Sequence, residues 1–154
     1  MKREEIFQYV KEQYGTEPEY LWKKDPDSAV LRHKNGKWYA IIMAVEKKTL
    51  GLEEDGKINI LDVKCDPDLV GMLIQTYGFL PGYHMNKQHW ITILLDDSVS
   101  EAKTLDFLDM SYDLTESSKS PASIAQSNKQ WVGTCLYQEW YKPLLISCEA
   151  AIRL

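Results

Sequence analysis

Residues 29–45 read AVLRHKNGKWYAIIMAV, two apolar runs on either side of Lys34, Asn35 and Gly36. Asn-Gly between such runs is a strong hairpin signal, because both residues tolerate positive φ. In the longer run, KWYAIIMAV, both alternating faces are apolar over much of the length. That pattern predicts an interior strand with one face on the core and the other under partial cover. A third strand-like run, KINILDV at 57–63, follows a turn carrying Asp55-Gly56. Strands joined by tight turns lie antiparallel, so this part of the chain predicts an antiparallel sheet.

The flanking segments carry helical spacing. Ile6, Phe7, Val10 and Tyr14 fall on one face of a helix over Glu4–Tyr14. Glu4 and Glu5 sit in its first turn, where the helix dipole favours carboxylates, and Gly15 stops it. Residues 17–28 then read as a connection punctuated by Pro18 and Pro26. Asp66 caps a second helix with Pro67 at its first position. Its predicted apolar stripe is Leu69, Val70, Leu73, Ile74 and Tyr77, closed by Gly78. HWITILLD, 89–96, is another strand. SVSEAKTLDFLDMSYDL, 98–114, is a third helix, with Ser98 and Glu101 in capping-box spacing and Leu105, Leu108 and Tyr112 as its stripe. Amphipathic helices need one sheet face to cover. The expected architecture is therefore an α+β two-layer sandwich, an antiparallel sheet with helices packed on one face.

The chain has 154 residues, enough to bury a core without disulfides. No apolar run approaches the length of a membrane helix, and the N-terminus MKREEIFQYV has no apolar signal core. A cytoplasmic location without membrane contact is the expectation. Cys65, Cys135 and Cys148 are odd in number and far apart, which suggests neither a zinc site nor a disulfide framework. Residues 1–117 hold 14 Lys and Arg against 21 Asp and Glu, a net charge of −7. Strong non-specific binding to a polyanion rests on phosphate neutralisation, so this acidic body argues against it while leaving room for a local basic patch.

After about Glu116 the composition changes. Residues 118–130 are polar and Ser-rich and read as a linker or loose segment. Residues 131–154 are apolar again, but Gly133 and Pro143 break any long helix. The expected organisation is an α+β domain at 1–117, the linker at 118–130, and a C-terminal extension at 131–154 that could recruit a partner protein.

Four stretches carry a resemblance: EPEYLWKKDPDSAVLRHKNGKWYAIIM, ILDVKCDP, GFLPGYHMNKQHWITILLD and LDMSYDLT. They resemble the MmcQ/YjbR family of small bacterial proteins over roughly residues 1–117. The resemblance implies a cytoplasmic α+β fold of the CyaY (frataxin)-like kind. It also implies the family's "double-wing" description, with two projecting β-elements, and hence the label DNA-binding. No enzymatic activity comes with it.

The most polar stretch is PGYHMNKQHW, 81–90. A loop entering a strand exposes its polar groups on a rigid scaffold. His84, Asn86, Lys87 and His89 there offer donors, acceptors and a cation, which suits phosphate, a carboxylate or a nucleobase edge. Arg32, His33, Lys34 and Lys37 form a second such group at the hairpin, and Lys64 lies just before a helix start. Each has a structural reading beside it. The imidazoles can hold a turn together, Trp38 and Trp90 suit sheet packing, and KNGK can be a solvated tip. The residues give no catalytic set: GxSxG, a Walker lysine and GxGxxG are all missing. No metal or cofactor is expected, since the acidic turns lack ligand spacing. Two functions stay open. The chain binds DNA weakly or shape-selectively through both groups, or it binds a small anion or peptide carboxylate through the YHMNKxHW loop.

Overall fold

The computed structural model describes residues 1–116; the linker expected at 118–130 and the extension expected at 131–154 lie outside the described residues. The elements run α1 (Arg3–Tyr14), β1 (Ala29–Arg32), β2 (Trp38–Glu46), a 3-10 turn (Lys47–Leu50), β3 (Lys57–Lys64), α2 (Pro67–Leu73), β4 (Phe79–Pro81), β5 (Trp90–Leu94) and α3 (Glu101–Glu116). All strand pairs are antiparallel, in the order β1-β2-β3-β5-β4. The expected α+β sandwich is the observed one.

The sheet has two apolar faces. On one, Leu31, Ala40, Ile42, Leu61, Val63, Ile91 and Ile93 pack with Ile6 and Val10 of α1, Val70 and Leu73 of α2, and Phe107 and Leu108 of α3. On the other, Val30, Ile41, Met43, Val45, Ile58, Ile60 and Leu94 form a second cluster. Trp38, Leu50 and Leu52, with Leu80, Tyr83 and Met85, close over it. This is the two-sided burial that the apolar run in β2 predicts. The strict alternation breaks once: Leu31 pairs with Ala40 but Arg32 with Trp38, a bulge that leaves Tyr39 unpaired with β1. Tyr39 therefore joins Ala40 on the helix-covered face, while Trp38 goes to the other.

Several local readings need correction. The β1–β2 turn puts only Gly36 in the left-handed region (φ 87); Asn35 instead accepts the Lys37 N–H through its side chain at 3.0 Å. α2 stops at Leu73, leaving Ile74 and Tyr77 exposed, because the chain must turn at once to enter β4. β4 itself escapes the sequence reading, being three residues long with a proline at its edge. The start of α3 is held by Ser100, whose hydroxyl accepts the Lys103 N–H at 3.4 Å, and not by Ser98. Its buried face is Thr104, Phe107, Leu108, Ser111 and Thr115, rotated from the predicted stripe. Ser111 is drawn inward because its hydroxyl joins helix to sheet: it accepts the Lys64 N–H at 2.7 Å and donates to the Tyr39 carbonyl at 2.5 Å.

A candidate nucleic-acid interface at one end of the sheet

Strand register decides where the predicted residues lie. Lys64, at the end of β3, pairs with Trp90 at the start of β5. Ala40, near the start of β2, pairs with Val63. One residue beyond, the Cys65 N–H donates to the His89 carbonyl at 2.8 Å. The β1–β2 hairpin tip, the exit of β3 and the β4–β5 loop therefore share one end of the sheet. From β2 to β5 is two strand spacings, roughly 10 Å.

The nine residues differ in availability there. Lys34 and Lys37 are exposed at the hairpin tip, and His84, Lys87 and His89 are exposed on the β4–β5 loop. Lys64 is half-buried between them. Asn86 is exposed but is the loop's organiser: its side chain accepts the Gln88 N–H at 2.9 Å, and its carbonyl accepts those of His89 and Trp90 at 3.0 and 2.9 Å. His84 takes a left-handed backbone (φ 57), with its ring 4.1 Å from that of Tyr83. Gly82 is required at the loop's root, because a Cβ there would meet the Trp90 Cβ at 2.8 Å.

Arg32 and His33 depart from the expectation of free contact groups. Glu19, bridged to β1 opposite Val30, presents its carboxylate to Arg32, whose Nε donates to Oε1 at 2.7 Å while Nη2 reaches Oε2. This bond holds the Glu19 carboxyl below its usual range and raises Arg32. His33 is buried, with Nε2 2.7 Å from the Thr115 hydroxyl and its ring 4.2 Å from that of Tyr112. Burial lowers its pKa, so the neutral imidazole is favoured. Alternation along β1 explains the burial: two residues after Leu31, His33 falls on the helix-covered face, against α3. Arg32 is neutralised by Glu19, and His33 is a packing group.

Beside the hairpin, residues 14–17 and 19, the turn 32–36 and Tyr112 line an open cleft of about 690 Å³. Its floor is aromatic, with Tyr14 and Tyr112 stacked at 3.8 Å. Asp109 accepts the hydroxyls of Tyr14 and, at 2.8 Å, Tyr9. Burial, with that carboxylate, pushes the Tyr9 phenol up to about 12.

Two features escape the sequence reading. Asp62 is fully buried on the second face, and Thr92 across the strand pair donates to its Oδ1. Its other oxygen has no hydrogen-bond partner among the described residues, and burial raises the carboxyl to about 7. A lone acid inside the apolar run INILDV is the signal for it. The other is Trp22, 37% exposed and packed edge-on against Trp38 at 5.9 Å. No group of three or more His, Cys, Asp or Glu among the described residues is placed to hold a metal ion. No helix among them is long and apolar enough to cross a membrane.

The profile of the YjbR family matches residues 11–114, a span that takes in the hairpin, β3, the β4–β5 loop and most of α3. The chain belongs to the YjbR family. An uncharacterised protein of Bacillus subtilis (strain 168), YyaQ, is 45% identical over 117 residues, covering 75% of this chain and 99% of its own. A crystal structure of a Pseudomonas syringae protein is similar with a TM-score of 0.73 at 38% identity, over 75% of this chain and 99% of that one. A Deinococcus radiodurans structure shares the fold, with a TM-score of 0.57 at 24% identity over 77% and 82% of the two chains. These relatives fix the family and the fold.

Proposed function

We propose that this YjbR-family chain is a non-enzymatic DNA-binding protein that works in the cytoplasm without a cofactor. One observation carries the reading: two loops distant in sequence bring Lys34, Lys37, His84, Lys87 and His89 to the same end of the sheet, with Lys64 between them. Exposed cations spaced along one edge suit successive phosphates, and two projecting hairpin loops fit the double-wing description. The acidic body keeps such binding weak, because long-range repulsion opposes the local contacts. The test is the affinity of the full chain for a short duplex, titrated with salt. Each phosphate contact adds nearly one unit of negative slope in log affinity against log salt. Lys87→Glu is expected to flatten that slope by about one unit; an unchanged slope takes Lys87 out of the interface.

The exposed His84, Lys87 and His89 of the β4–β5 loop support a second reading, a site for a small anion or peptide carboxylate on the YHMNKxHW loop. There the salt dependence is shallow, and inorganic phosphate raises the melting temperature. Phosphate stabilisation without a salt-dependent DNA shift favours this reading over the first.

A further inference from the structure

We infer that Tyr20, Trp22 and Trp38, with the lysines around them, form a stacking platform for unpaired bases, so that the preferred ligand is single-stranded nucleic acid. This rests on the nucleic-acid reading above and narrows its substrate class.

Among the described residues, the exposed large apolar side chains include one consecutive run: Tyr20 at 55%, Leu21 at 45% and Trp22 at 37%. An isolated exposed aromatic needs no explanation, but three adjacent apolar groups form a patch. Its position is fixed at both ends. Glu19 is bridged to Val30 by backbone hydrogen bonds of 3.0 and 2.8 Å, and the Trp22 ring is held edge-on by Trp38. Trp38 is the first residue of β2 and directly follows Lys37 of the hairpin tip. The ring cluster therefore adjoins the cationic end of the sheet.

Charge selects the occupant. Residues 20–37 contain Lys23, Lys24, Lys34 and Lys37, all exposed. None of the four is in an ion pair among the described residues. Against them stand Asp25, whose carboxylate accepts from the Ser28 hydroxyl, and Asp27. Protein interfaces are depleted in lysine, whereas aromatic faces flanked by free ammonium groups suit bases and phosphates of a flexible strand. A duplex offers its bases only edge-on in the grooves, so exposed ring faces add nothing to its binding. Strand register continues the track: alternation puts Lys64 on the same face as Asp62, two strands from Arg32 and beside Trp90.

The experiment measures anisotropy of a labelled oligothymidylate and of a hairpin duplex of equal nucleotide count, with the full chain at low salt. The oligothymidylate is expected to bind more tightly. Trp22→Ala should weaken it roughly 5- to 150-fold, the effect of losing one base–aromatic stack, and leave duplex affinity unchanged. Trp22→Phe, which keeps a ring, should restore most of the loss. If Trp22→Ala leaves single-strand affinity unchanged while both DNAs still bind, the platform is overturned and the phosphate-binding edge stands. If neither DNA binds the unaltered chain, both readings fall. If Trp22→Ala abolishes self-association seen by light scattering and leaves DNA affinity alone, the patch is a protein interface and the inference is overturned.

Discussion

Thr92 donates its hydroxyl to the Asp62 carboxylate across the β3–β5 pair, and the same oxygen accepts the Tyr83 N–H of the β4–β5 loop at 2.9 Å. A buried acid is thus one step from the loop that carries His84, Lys87 and His89. Burial raises Asp62 to about 7, whereas in the unfolded chain it ionises near pH 4. Between those values the folded state holds a proton that the unfolded state has lost, so stability falls as pH rises through this window. The full effect is on the order of 4 kcal/mol by the cost of one pKa unit. Asp62→Asn removes the ionisation. Urea unfolding at pH 5 and pH 8 should show the variant gaining on the parent at the higher pH; parallel curves would remove Asp62 as the titrating group.

His33 acts in the opposite direction over an overlapping window, so each group is read from its own variant. Burial lowers the His33 pKa; the Glu116 charge opposes that shift and Lys37 adds to it. The unfolded imidazole takes a proton near pH 6.5, before the folded one does. The neutral ring therefore contributes stability above that pH, and the contribution is lost as pH falls through the folded value. Thr115→Val strips the hydroxyl from a buried imidazole nitrogen and is expected to cost about 1–3 kcal/mol at pH 7. Thr115 donates its own proton to the Ser111 carbonyl at 2.7 Å, so Nε2–H is the donor and this cost should persist at pH 5. The titration is read from His33→Gln, whose stability should fall less than the parent's between pH 7 and pH 5. An equal fall in His33→Gln and the parent would deny His33 this role.

Two glycines separate close approach from backbone freedom. At Gly82 an added methyl meets the Trp90 Cβ at 2.8 Å and its carbonyl oxygen at 3.0 Å. Gly82→Ala is expected to destabilise by about 1–3 kcal/mol, since β5 backbone cannot give way as a side chain can. At Gly71, inside α2, nothing lies within 4 Å. Gly71→Ala should stabilise by about 0.5–1 kcal/mol through helix propensity. Equal effects on the denaturation midpoint would contradict the packing at Gly82.

The sheet and its layering were legible because β2 announces two-sided burial and Asn35-Gly36 announces a turn. The ends of elements were not. Ile74 and Tyr77 continue the α2 spacing perfectly well, and only the need to turn into β4 exposes them. Candidate surface residues divided for a similar reason. Lys34, Lys37, Lys87 and His84 sit where turns put any side chain in water, so local sequence finds them. His33 is one residue from the tip, yet the alternation of β1 continues through it and α3 covers that face. Arg32 meets Glu19 from 13 positions away, a pairing that no local spacing encodes.

That pairing supplies a sharp test of which hairpin cations meet a ligand. Arg32 and Lys37 differ by five positions, but Arg32 already has two bonds to one carboxylate, while Lys37 has no ion pair among the described residues. A phosphate approaching Arg32 must displace Glu19 and leave that carboxylate exposed to the same phosphate. One approaching Lys37 displaces only water and counterions. Arg32→Ala is therefore expected to change the salt slope of DNA binding little, and to lower affinity slightly through the freed Glu19. Lys37→Ala should reduce the slope by nearly one unit. Glu19→Gln, which releases Arg32 while keeping the bridge to Val30, should tighten binding and steepen the slope. A larger slope loss for Arg32→Ala than for Lys37→Ala would mean that the ion pair opens on binding and that Arg32 is the contact.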